Sequence, residues 1–160
     1  MSEFRLSKRS LGRMEGVDSR LVATAKRAIK RSVYDFGVTS GLRSEAEQRL
    51  LFNRKASQCD GINKRSKHQD GNAIDIAVYI GARCSWEHNL YDDCIDAFLS
   101  SAKEIGNFGL RWGGAWHIDD MMKYEGTCEN AQMEYIDLRR SQGRRPFLDS
   151  VHIECFDYDE

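Results

Sequence analysis

The sequence predicts an α+β domain in which a small antiparallel sheet is flanked by helices. Three observations carry this. Apolar residues recur at helical spacing in four segments. Four short runs rich in β-branched and aromatic residues stand between or after them. No repeat, low-complexity tract or linker divides the 160 residues, and the only proline is Pro146. A single domain over 1–160 follows.

The first helix is expected over 18–32, where Leu21, Val22, Ala25, Ala28 and Ile29 fall on one stripe and Asp18 or Ser19 can cap the start. "YDFGVTSGL" gives a short strand. A second helix over 44–56 opens with Ser44 and Glu47 in capping-box spacing. "IDIAVYI" is a strand. The long helix over 85–106 stops at Gly106. "LRWGG" is a further strand, "NAQMEYIDLRRSQG" a helix closed by Gly143, and "SVHIECF" the last strand.

Composition narrows the function. With 41% hydrophobic residues the chain can bury a core without disulfides, and its net charge of -1 excludes a general polyanion binder. Residues 1–32 nevertheless carry nine Lys or Arg against three Asp or Glu, and the chain ends in the acidic "FDYDE". A solvated helix face explains the basic stretch better than an anionic partner does. The five cysteines are odd in number and form no CxxC, which fits buried thiols from a reducing cytoplasm. "MSEFRLSKRS" has no apolar signal-peptide core and no run reaches membrane-spanning length, so a soluble protein made inside the cell is expected. "KRSK" lacks interleaved aromatics, and nucleic acid is not an expected partner.

The chemistry is expected at "KRSKHQDGNAIDIAVYI". Along an extended "IDIAVYI", Ile74, Ile76, Val78 and Ile80 share the core face, while Asp75, Ala77 and Tyr79 share the other. Asp75 thereby escapes burial as an unpaired charge. Gly71 allows a sharp turn that brings His68 back beside Asp75. A histidine and an aspartate are two ligands of a catalytic zinc site, which takes three from the protein and leaves a position open. His152 is the best third ligand because it lies in a strand. His88 falls on a solvent-facing helix and His117 in a loop. His117, Asp119 and Asp120 read better as a solvated loop than as a second cation site.

These residues also carry a resemblance. "SKHQDGNAIDIA" resembles the S-x-H-x-x-G-x-A-x-D motif of zinc peptidases related to the D-Ala-D-Ala carboxypeptidases, through Ser66, His68, Gly71, Ala73 and Asp75. "DSVHIE" resembles their second motif, an acidic residue three places before the last ligand. "VTSGLRSEAEQ" is similar to the segment with the substrate-side arginine, here Arg43. "LRWGGAWH" and the opening of the chain resemble the phage endolysin branch, although Ala115 stands where several members have Asp.

The resemblance implies a phage L-alanyl-D-glutamate endopeptidase that cuts peptidoglycan stem peptides. It implies one zinc ion per chain on His68, Asp75 and His152, with the sheet carrying the site. Asp149 takes the general-base place and Arg43 a catalytic one, while Ser66 supports the site by a hydrogen bond. Glu154 competes with Asp149, because strand alternation puts Glu154 and not Asp149 on the face of His152. The resemblance favours Asp149, placed in a turn before the strand, and leaves Glu154 to orient a ligand or touch substrate. Trp112 and Trp116 are expected in the core or a groove wall. The implied partner is peptidoglycan, reached as a monomer from the host cytoplasm through a holin-like pore, and then the periplasm and wall.

Overall fold

The computed structural model describes residues 3–158, so Asp159 and Glu160 of the acidic end lie outside the described residues. In chain order the elements are α1 (Lys8–Arg13), α2 (Ser19–Arg31), β1 (Asp35–Ser40), α3 (Glu45–Asn53), β2 (Ala73–Ile80), β3 (Arg83–Ser85), α4 (His88–Ile105), β4 (Phe108–Trp112), a 3-10 turn (Met121–Lys123), α5 (Cys128–Ser141) and β5 (His152–Asp157). The sheet is antiparallel with order β1-β2-β5-β4, and β3 also pairs with β2.

Local chemistry sets the boundaries. Asp18 caps α2 by accepting from the Arg20 amide, and Ser44 and Glu47 close both halves of a capping box on α3. Gly106, with φ of 75°, ends α4. Two short elements add to the predicted order. α1 rests on its Ser7 cap and on Ser10, whose hydroxyl receives the Val38 amide of β1. β3 takes Ser85 away from the expected start of the long helix and delays α4 to His88.

One face of the sheet is dry. Ile74, Ile76 and Val78 are fully buried beneath α2 and α4, with Leu21, Ala25, Phe36, Phe98 and Leu110 in the same core. Ile80 is a correction: it is 49% exposed, because β2 runs past the helical cover into the turn at Gly81. Most cations of the basic stretch are exposed, and a few are tied down. Arg20 bridges Asp18 and Asp157, and Arg31 pairs with Glu104 of α4. All five cysteines are free thiols.

β3 and β5 share one edge of β2. β3 pairs at Val78–Ile80 and β5 at Ala73–Asp75, with the Ile76 amide donating to the Val151 carbonyl between them. The chain just before β5 is thus held against the middle of β2. This arrangement fixes residues 149–152 over the sheet face that the helices leave open.

One buried group works against the fold. Asp92 of α4 is 5% exposed and its Oδ1 has no partner among the described residues. Burial, then the charges of Glu129, Asp96 and Asp93, push its carboxyl up to about 7. In the unfolded chain it ionises near pH 4. Between those values the folded protein holds a proton that the unfolded chain has lost, so stability falls as pH rises through this window. Asp92→Asn should therefore be more stable than the native chain at pH 8.5 by roughly 2–4 kcal/mol, a difference that vanishes near pH 4. Urea melts at the two pH values check this; a pH-independent difference contradicts it.

Candidate metal centre

The open face of the sheet carries a row of polar side chains fixed by register. Asp75 of β2 stands opposite His152 of β5, and Ala73 opposite Glu154, which in turn faces Arg111 of β4. His68 arrives from the loop after α3. Gly71 makes that return possible: its φ is 72°, and a Cβ there would lie 2.5 Å from the Gly16 carbonyl oxygen. The Ser66 hydroxyl accepts the His68 amide at 3.2 Å and the His68 carbonyl accepts the Arg43 amide at 2.9 Å, so the loop is closed on both sides.

Asp75 Oδ1 sits between two imidazoles, 3.3 Å from His68 Nε2 and 3.2 Å from His152 Nδ1. The far nitrogen of each ring is already committed. His68 Nδ1 faces the Gly41 carbonyl at 2.9 Å, which can only accept, so that nitrogen carries the proton. His152 Nε2 faces Glu154 Oε1 at 2.9 Å. In the neutral rings His68 Nε2 and His152 Nδ1 therefore present lone pairs to the same carboxylate oxygen. Three electron-rich atoms within 4.8 Å of one another require a positive charge among them. This donor set, two imidazoles and a carboxylate whose rings are oriented by outer acceptors, fits a metal ion. His68, Asp75 and His152 are in this sense a candidate metal-binding triad.

The surrounding charges agree. Burial opposes ionisation of Asp75, but hydrogen bonds from His152 and His68 outweigh it and hold its carboxyl far below the usual range. Burial likewise disfavours a charged His152, yet Asp75 and Glu154 raise it to about 9. Glu154 is lowered: burial raises it, and His152 more than offsets this. Arg43 donates to Ser40 Oγ, to Gln48 Oε1 and, at 3.0 Å, to Asp75 Oδ2. Each of its three nitrogens donates one bond, and Nη2 reaches the carboxylate.

Asp149 lies before β5, as the turn placement requires. Its carbonyl accepts the His152 amide at 2.9 Å, and this turn brings its side chain beside the triad. Burial first, then the charge of Asp75, push its carboxyl up. Gly113 holds the segment from below: Asp149 N donates to Gly113 O, and Gly113 N to His152 O, both at 2.9 Å. Alternation along β5 placed Glu154 on the histidine face correctly and could not reveal a turn that returns Asp149 to it.

The two tryptophans part company. Trp112 is 1% exposed in the core, where its indole N–H donates to the Ser150 carbonyl; it lines no groove. Trp116, which the sequence did not separate from it, packs its ring 5.6 Å from His152. His88 is exposed but reaches Ser150 Oγ at 3.0 Å. Asp119 is exposed, Asp120 caps the 3-10 turn and His117 faces Glu134, so these three form no second cluster.

A buried two-histidine, one-carboxylate centre with a further carboxylate beside it is the layout of a mononuclear metallohydrolase. The sequence matches the family described as phage L-alanyl-D-glutamate peptidase over residues 1–138, and the chain belongs to that family. It is 30% identical over 137 residues to the L-alanyl-D-glutamate peptidase of Escherichia phage T5, covering 83% of this chain and 98% of that protein. The crystal structure of the L-Ala D-Glu endopeptidase ChiX from Serratia marcescens is similar with a TM-score of 0.64 and 33% identity, over 74% of this chain and 86% of that one. Asp149, His152 and Glu154 lie beyond the family match, and their place in the site rests on the geometry.

The close approach of Gly113 gives a direct test. A Cβ there would fall 2.1 Å from the Asp149 carbonyl oxygen, whereas one on Gly12 of α1 meets nothing within 4 Å. Gly113→Ala should lower stability by about 1–3 kcal/mol, and Gly12→Ala should raise it by about 0.5–1 kcal/mol. Thermal melts of the two variants should move in opposite directions; equal shifts contradict the packing.

Proposed function

We propose that the chain is a zinc-dependent endolysin that hydrolyses the L-Ala–D-Glu bond of peptidoglycan stem peptides and so lyses the host cell. The observation that carries this reading is the convergence of His68 Nε2, Asp75 Oδ1 and His152 Nδ1, with Asp149 beside them, in a chain of this family. Two imidazoles and one carboxylate suit zinc better than magnesium or calcium, which prefer all-oxygen sites. In this reading the three side chains hold one zinc ion per chain. When bound there, zinc acidifies water and polarises a carbonyl oxygen.

The protein residues do the rest. Asp149 takes a proton from the water that attacks the scissile carbonyl, and delivers it to the amine as the C–N bond breaks. Its raised carboxyl suits both halves of that transfer. Glu154 fixes the orientation of His152 through Nε2, and Gly41 does the same for His68 through Nδ1. Arg43 positions Asp75 by binding Oδ2, leaving Oδ1 for the metal. Ser66 shapes the His68 loop, and Trp112 anchors Ser150 next to Asp149. Peptidoglycan is the macromolecular partner, and the chain acts as a monomer. It waits in the host cytoplasm until a holin-like pore opens the way to the periplasm and wall.

Mass spectrometry of digested peptidoglycan tests the reading. The zinc-loaded protein should release stem peptides beginning at D-Glu and leave L-Ala on the glycan, and a chelator should stop it. Asp149→Asn should keep zinc and lose about 100-fold or more in rate. Loss of a terminal D-Ala alone points instead to a carboxypeptidase. No cleavage with zinc bound points to a wall-binding module.

A further inference from the structure

A substrate cut between L-Ala and D-Glu brings a charge with it. The D-glutamyl residue has two carboxyl groups and uses one to continue the chain, so the other is free on the leaving side of the bond. Arg43 is held by Ser40 and Gln48, and the Asp75 carboxylate already offsets its charge. Another cation on the open face is needed.

Arg111 meets the requirements. Cross-strand pairing sets it opposite Glu154, on the same face as His152 and Asp75. Its guanidinium lies 5.2 Å from the ring centre of Trp116, and that ring packs in turn on His152. Nη2 donates to the Trp116 carbonyl at 2.7 Å, which fixes the plane of the group. Its Nε is buried without a partner among the described residues, as is the indole N–H of Trp116. The nearest carboxylate, Asp119, stands 3.9 Å away with its side chain 97% exposed, a pairing worth little in water. Glu154, opposite Arg111 across the strands, is itself engaged by His152.

We propose that Arg111, stacked on Trp116, is the subsite that binds the free carboxylate of the D-glutamyl residue. The proposal rests on the L-Ala–D-Glu reading and adds the determinant of its second residue. A planar guanidinium held on an aromatic face is suited to paired hydrogen bonds with a carboxylate. Such charged hydrogen bonds are worth enough to set a preference of roughly 10- to 100-fold.

The test removes the charge from each side in turn. Two N-acetylated stem peptides are compared, one with D-Glu carrying its free carboxylate and one with the carboxamide in its place. The zinc-loaded native protein should prefer the carboxylate peptide roughly 10- to 100-fold in kcat/KM, chiefly through KM. Arg111→Met should lose that preference by falling on the carboxylate peptide alone, and its retained rate on the carboxamide peptide shows that the fold is intact. Arg111→Lys should keep part of the preference. A native protein indifferent to the carboxamide overturns the proposal, and so does an Arg111→Met that loses both peptides by the same factor. Cleavage of neither peptide by the native protein, with zinc bound, fails the L-Ala–D-Glu reading itself and takes the subsite with it.

Discussion

The structure turns on the environment of one carboxylate. Asp75 stands in the central strand, and each of its oxygens has a separate task. Oδ2 is bound by Arg43, while Oδ1 faces His68 and His152. A charge so placed is tolerable only if cations meet it from both sides. The guanidinium supplies one. The other is a positive charge among Oδ1 and the two ring nitrogens, a place that protons or a metal ion can fill. The Gly41 carbonyl and Glu154 settle which ring nitrogens are left free.

Backbone packing gives this centre its precision. β5 follows β3 along the same edge of β2, and so the segment before β5 is pressed onto the open face. Gly113 lets the Asp149 backbone approach closer than any side chain would permit. Gly71 does the equivalent for the His68 loop against Gly16. Two glycines thus place Asp149 and His68, and the strand register places Asp75 and His152.

Much of this was legible in the sequence. Alternation in "IDIAVYI" separated Asp75 from the core, and the structure agrees except at Ile80, where the strand outruns its helical cover. The capping box on α3 and the stop at Gly106 were local signals and held. What escaped was non-local. α1 has no apolar stripe and depends on Ser10 meeting β1, and β3 is three residues long. Alternation put Glu154 alone on the face of His152, because a turn, not a strand, sets Asp149. The Gly41 carbonyl belongs to the backbone, and the pairing of Arg43 with Asp75 joins residues distant in sequence. The ring of Trp116 against His152 likewise had no signal that set it apart from Trp112.

The most direct measurement is zinc titration of the metal-free protein, native and Asp75→Ala, with X-ray absorption at the zinc edge of each loaded form. The native chain should bind one zinc ion through nitrogen and oxygen ligands that include two imidazoles, and Asp75→Ala should weaken binding by about 100-fold or more. Sulfur among the zinc ligands, or equal affinity in the two proteins, would contradict the assignment of this centre to His68, Asp75 and His152.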